Sequence, residues 1–132
     1  MTEFAPIQIC LVASLLATAP DAHAQSIVDG TGTAVDAEST RIVLALIGQH
    51  LRSTDAKVTD LRTGRGGAIC GAVEVRNRMG TYTGARPFVA DLAGGFFGRL
   101  PEGPELRNPA SIADYRAMER AQELFTRNCS ER

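Results

Sequence analysis

Arginines flank a glycine-rich stretch at residues 69–88 (ICGAVEVRNRMGTYTGARPF), and this stretch is the strongest candidate for a binding site in the sequence. A guanidinium group donates two parallel hydrogen bonds to a carboxylate or a phosphate. A neighbouring tyrosine adds a ring and a hydroxyl to such a site. We therefore predict a small anion-binding or protein-binding face. Its residues are Arg76, Asn77, Arg78, Tyr82 and Arg86.

The same loop also has a purely structural interpretation. Gly80 and Gly84 can adopt positive φ without a steric cost. Asn77 tolerates left-handed geometry and bonds nearby backbone groups, and Pro87 opens a strand where a missing N–H costs least. A solvated sheet edge protected by charged side chains has this pattern too. Architecture is the simpler interpretation of the loop, and recognition stays open beside it.

No catalytic residue is assigned from the sequence. An acyl-transfer site needs a nucleophile, a base and an orienting group in contact, and His50 lies on the apolar stripe of a predicted helix. The enzymatic alternative is a small hydrolase that uses Glu74 and Asp91 as a carboxylate pair on neighbouring strands. Residues 64–67 (GRGG) lack the spacing of a phosphate-binding loop, so no cofactor is predicted.

The first 24 residues have the character of a secretory signal peptide. Residues 7–19 (IQICLVASLLATA) are apolar, and residues 22–24 (AHA) give the small-x-small pattern that signal peptidase cuts. The run is shorter than the roughly 20 residues that span a bilayer. We predict cleavage after residue 24 and a periplasmic or secreted protein without a stable membrane span. Glu3 and the absence of a preceding base are atypical, so a signal anchor in the inner membrane is the alternative.

Cys70 and Cys129 are the cysteines that follow this segment. In an oxidising compartment an isolated pair is most simply a disulfide, which would stabilise the fold by about 4 kcal/mol in the chain-entropy model. Two free thiols are the alternative, and no metal site is predicted because the ligands are too few for zinc. The chain has 14 basic and 15 acidic residues, a balance that disfavours a nucleic-acid partner.

A flexible arm over 25–35 and a single α+β domain over 36–132 are expected to hold these groups. Asp36 caps a predicted helix over 37–52, and Ser111 caps a C-terminal helix. Strands are predicted at 57–62, 68–76, 87–92 and 96–100, which would form an antiparallel sheet of three to four strands. The stripe of the first helix comprises Val43, Leu46, Ile47, His50 and Leu51. The stripe of the last helix comprises Ile112, Tyr115, Met118, Ala121, Leu124, Phe125 and Cys129.

The alternation of residues along the strand over 68–76 predicts on which face of the sheet Cys70 lies. Side chains alternate along a strand, so Ile69 and Val73 share one face, and Cys70 and Glu74 share the other. The second face is apolar at its start and charged at its end. We expect the strand to run from beneath a helix out to the rim, with Cys70 under the C-terminal helix.

One motif resembles a known group of proteins. Its residues are Cys70-Gly71-x-Val73-x-x-Arg76-Asn77-x-x-Gly80-x-Tyr82-x-Gly84-x-x-Pro87-Phe88. This pattern is similar to the CGxVNAKNxxGGYxGxxxF motif of small secreted hypothetical proteins of proteobacteria and some phages. The chain departs from that motif at residues 74–75 (EV) and at Thr81. The resemblance covers about residues 37–92, implies the same fold and an exported location, and carries no activity.

These observations predict an exported, non-catalytic binding domain of the cell envelope, with an envelope protein or peptide as its partner. A small envelope hydrolase and a secreted enzyme inhibitor are the alternatives.

Overall fold

The computed structural model describes residues 25–130, so the predicted signal peptide lies outside the described residues. Five strands form one sheet in the order β1-β2-β3-β4-β5. The strands are β1 Ser26–Ile27, β2 Lys57–Thr63, β3 Ile69–Glu74, β4 Arg86–Asp91 and β5 Phe96–Arg99. The helices are α1 Ala37–Leu51, α2 Gly103–Arg107 and α3 Ile112–Asn128, with short 3-10 turns at Thr31–Thr33 and Arg65–Gly67.

The α+β class, the two long helices and the single disulfide are confirmed, but the sheet differs from the prediction. It has five strands instead of three to four, and it is mixed, because β1 lies parallel to β2. The other neighbouring strands pair antiparallel. A strand of two residues has too little pattern to be recognised, and its pairing depends on β2, which is distant in sequence.

The segment over 25–35, expected to be a flexible arm, contributes β1 and a second contact to the sheet. Strand β2 has a register irregularity between Thr59 and Arg62, and Asp60 there has a φ of 53°. The carboxylate of Asp29 accepts from the Asp60 amide at 2.6 Å, and the hydroxyl of Thr31 accepts from the Leu61 amide at 3.0 Å. The segment therefore satisfies two amides that the bulge leaves without a ladder partner.

Helix α1 packs on one face of the sheet. Asp36 caps it by accepting from the Ser39 amide at 2.8 Å, as predicted. Val43 and Ile47 are fully buried against Val58, Val73, Phe88, Ala90 and Phe97. Alternation along β3 and β4 thus directs one set of side chains toward α1.

Helix α3 packs on the opposite face. Ser111 caps it by accepting from the Asp114 amide at 3.0 Å. Cys70 and Val89 alternate with the α1-facing side chains, and they form a smaller cluster with Ala121 and Cys129. The Cys70–Cys129 disulfide joins β3 to the end of α3 with a Cα–Cα distance of 5.8 Å, so the predicted position of Cys70 beneath this helix is confirmed.

Candidate functional site

The loop between β3 and β4, residues 75–85, carries most of the predicted binding face, and we call it the Tyr82 loop. Asn77 organises its turn, because the side-chain oxygen accepts from the amides of Met79 at 2.9 Å and Thr81 at 3.1 Å. The Asn77 backbone also donates to Thr81 and accepts from Gly80. Gly80 has a φ of 79°, the left-handed conformation that favours glycine. The structural interpretation of these two residues therefore agrees with their contacts.

Tyr82 anchors the loop to the start of β2. Its hydroxyl donates to the carbonyl of Asp55 at 2.9 Å. The Lys57 ammonium lies 3.9 Å from the ring centroid and the Arg76 guanidinium lies 4.8 Å from it, within the range of cation–π attraction. Arg76 also pairs with the Asp55 carboxylate at 2.7 Å. These two predicted site residues are therefore engaged with the body of the protein.

Arg78 and Met79 form the tip of the Tyr82 loop. Both residues are exposed, and the Met79 side chain is among the most exposed large apolar groups, at 88%. Neither side chain has a hydrogen bond or an ion pair with another residue of the range 25–130. The loop therefore presents one cation and one flexible apolar side chain. Its backbone is fixed by the hydrogen bonds of Asn77 and by the contacts of Tyr82 with the start of β2.

Arg86 does not join this group. It lies at the start of β4, in the set of side chains that faces α1, and it is only 18% exposed. Its guanidinium donates to the Leu100 carbonyl at 2.6 Å and pairs with Glu105 at 2.9 Å. Its Nε is buried without a hydrogen-bond acceptor, and the carboxylate of Glu102 is 3.8 Å from it. The structure thus separates Arg86 from the other four predicted residues.

A groove of about 180 Å³ lies beside β5 and is lined by Arg86 and Arg99, among other residues. Arg99 was not predicted as a site residue from the sequence. Arg99 lies directly opposite Phe88 in the ladder and is partly buried. Burial, and then the positive charge of Arg86, lower the pKa of Arg99 from its ordinary value. The pattern FFGR does not show that its strand will be the last of the sheet. Arg99 lines the groove because β5 has that position.

The residues considered for catalysis are not brought together. Glu74 and Asp91 lie at opposite ends of the β3–β4 pair, roughly 20 Å apart at about 3.3 Å per residue. Glu74 accepts from the Gly84 amide, and Asp91 pairs with Arg120 at 3.6 Å. His50 is an exposed rim residue whose ring centre is 5.8 Å from that of Phe97.

Comparison of the chain with known protein families, with curated proteins and with solved structures finds no significant match. The geometry of the site is therefore the basis for assigning a function to the protein. Over residues 25–130, no group of three or more His, Cys, Asp or Glu side chains is arranged to hold a metal ion. In the same range, no helix is both long enough and apolar enough to cross a membrane.

Proposed function

We propose that the protein is an exported, non-catalytic binding domain of the cell envelope that contacts a protein partner through the tip of the Tyr82 loop. The observation that carries the proposal is the pairing of Arg78 with the 88% exposed Met79 on a hydrogen-bonded turn. Arginine and methionine are enriched at protein interfaces. A turn already fixed in one conformation loses little entropy when a partner binds.

Export is supported by three features. The apolar segment over 7–19, followed by the small residues at 22–24, is typical of a secretory leader. The Cys70–Cys129 disulfide suits an oxidising compartment. The resemblance of the loop motif to that of small secreted proteins favours the same location.

A binding role is favoured over the hydrolase alternative because Glu74 and Asp91 lie far apart and each already serves a local contact. Retaining and inverting glycosidases need their two carboxyl groups within about 5–10 Å of each other. The secreted-inhibitor alternative is one form of the binding role, in which the partner is an enzyme.

Site-specific crosslinking tests the contact. A photoreactive phenylalanine analogue replaces Met79 in the exported protein, and after irradiation the envelope fraction is examined for a crosslinked product. We expect one discrete product that disappears when Arg78→Ala is added. Because both residues are exposed and neither side chain has a hydrogen bond or ion pair within residues 25–130, the double change should alter the free energy of unfolding by less than about 0.5 kcal/mol.

A matched control uses α3. Ile112 is 74% exposed, and the exposed Arg116 lies one helical turn further along the same helix. The same probe at Ile112, combined with Arg116→Ala, should give no product that depends on the arginine. Identical crosslinks from the two positions, or a Met79 product that survives Arg78→Ala, would contradict the proposal.

A further inference from the structure

Strand β5 is the last strand of the sheet, and its outer side has no strand neighbour in the described chain. The Leu100 amide donates to the Pro87 carbonyl at 2.8 Å, so these two residues form a hydrogen-bonded pair. Such pairs alternate along an antiparallel ladder, which makes Gly98 the next residue bonded to β4. The N–H and C=O groups of Phe97 and Arg99 therefore point away from β4, toward the groove.

Two helices form the walls of that groove. His50 and Leu51 from the last turn of α1 lie on one side, and Ala117 and Met118 from α3 lie on the other. Phe97 contributes apolar surface at the strand itself and is 5% exposed. An apolar channel beside the outward-directed backbone groups of an edge strand is the setting in which an extended peptide adds to a sheet.

One guanidinium group that lines the groove, that of Arg99, has no carboxylate of the described chain paired with it. The acids beside Arg86 are Glu102 and Glu105, and both already pair with it. Arg99 feels the charges of Glu105 and Glu102 but has no ion pair of its own within residues 25–130. Asp114 also borders the groove, but its carboxylate accepts from the Ala110 amide at the start of α3. The Arg86 Nε is itself buried, so the unused donor capacity that a ligand can reach is that of Arg99.

We propose that the outer edge of β5 binds an extended segment of a partner protein as an added strand, with an aspartate or glutamate of that segment opposite Arg99. Residues paired across neighbouring strands have Cβ atoms about 4.5–5.5 Å apart, which brings that carboxylate to the guanidinium. The side chain two positions away then lies beside Phe97 and the end of α1, where an apolar residue fits. This surface is separate from the Tyr82 loop, and neither proposal depends on the other.

Peptide display on the oxidised protein tests the proposal. Random peptides are selected on the wild-type protein and counter-selected on Arg99→Gln. We expect the recovered sequences to carry an acidic residue two positions from an apolar one. Synthetic peptides of these sequences should bind about tenfold or more weakly to Arg99→Gln, because a charge-assisted hydrogen bond is lost. The same loss is expected when the acidic residue of the peptide becomes its amide.

Further measurements separate strand addition from simple charge attraction. Binding should shift the amide resonances of Phe97 and Arg99, and methylation of the peptide backbone nitrogens that face β5 should abolish it. Arg116→Ala removes an exposed arginine of α3 and should leave the affinity unchanged. Arg99→Lys keeps the charge without the planar fork and should bind with intermediate affinity.

Several results would overturn the proposal. The selection could recover no peptide that binds the wild type better than Arg99→Gln, or only peptides without acidic residues. Peptide binding could also shift only the amide resonances of the Tyr82 loop. A dimer of the free protein that covers β5 would also overturn it. If Arg99→Gln does not fold, the comparison of acidic and amide peptides on the wild-type protein decides the question alone.

Discussion

The two faces of the sheet are stabilised in different ways. On the α1 face, Ile47 and Phe88 belong to a continuous cluster of buried aliphatic and aromatic side chains. On the α3 face, the buried cluster is small, and the Cys70–Cys129 bond passes through it. The first face relies on exclusion of water from apolar surface. The second face has fewer buried apolar side chains and adds a covalent link between β3 and the end of α3.

The sequence of α3 explains why its face needs that link. Among its helical residues only Met118 and Ala121 are buried, while Ile112 is 74% exposed and Tyr115 is 39% exposed. The stripe predicted for this helix is therefore buried only from Met118 onward. A helix that buries so little side-chain surface gains little from packing alone.

Removal of the disulfide should have the largest effect. Replacing both Cys70 and Cys129 by serine should lower the free energy of unfolding by about 4 kcal/mol, from the loop-closure entropy of the 59-residue separation. Urea unfolding measures the change, and hydrogen exchange should show faster exchange in α3 before α1. Reductant should reproduce the effect on the wild type and do nothing to the double variant. Equal stability with and without reductant would show that packing holds both faces.

A cavity on the α1 face should cause the next largest loss of stability. Ile47→Ala should cost about 2–5 kcal/mol, because it removes a fully buried side chain from the main cluster. The matched change on α3 is Ile112→Ala, which should cost less than about 0.5 kcal/mol, since that side chain is mostly in water. Urea midpoints of the two variants make the comparison. Similar losses would mean that the apolar end of α3 is more buried in solution.

The close approach of Gly98 to Ala121 on the α3 face predicts a smaller loss of stability when a side chain is added. A Cβ added to Gly98 would lie 2.7 Å from the Cβ of Ala121 and 3.1 Å from the Phe96 ring. Gly98→Ala should therefore cost about 1–3 kcal/mol through overpacking. Gly103→Ala is the control, because the nearest atom to its new Cβ is the end of the Arg107 side chain at 3.7 Å. Thermal unfolding of both variants tests the contrast, and an unchanged Gly98→Ala protein would contradict it.

Acid should weaken the attachment of the first strand, with the smallest effect. The pKa of Asp29 is lowered, first by the hydrogen bond from the Asp60 amide and then by the Thr31 hydroxyl. A lowered pKa in the folded state gives stability that is present above the ordinary value of 3.8 and is lost as the pH falls below it. The protection of the Asp60 and Leu61 amides, measured relative to the intrinsic exchange rate at each pH, should fall there.

Asp29→Asn provides the control for that acid effect. It should already exchange faster at neutral pH and should show a weaker acid dependence. The same pH profile in both proteins would assign the acid sensitivity to another carboxylate.

Local patterns allowed part of this fold to be predicted from sequence. Periodic apolar residues and the caps Asp36 and Ser111 mark the two long helices, and both caps accept the expected amides. Alternation along β3 placed Cys70 on the face that meets α3. These features depend on neighbours in the chain or on covalent chemistry, which a sequence displays directly.

Features set by distant neighbours could not be predicted. Arg86 is close in sequence to Arg78, but strand alternation directs it toward α1, and Glu105 from α2 pairs with it. The importance of Arg99 depends on β5 being the outermost strand. The bulge at Asp60 is completed by Asp29, a partner 31 positions away. In each case the decisive contact joins segments whose relation only the folded chain establishes.

The bridge between Cys70 and Cys129 also orders the maturation of the protein in time. Residue 129 follows every strand and helix described, so the sulfur atoms can meet only after the polypeptide has emerged past α3. Until then the thiol of Cys70 lacks this partner. A chain that stalls or is cut before residue 129 keeps that thiol available for mixed disulfides with other proteins, so an incomplete copy is chemically distinguishable from a finished one.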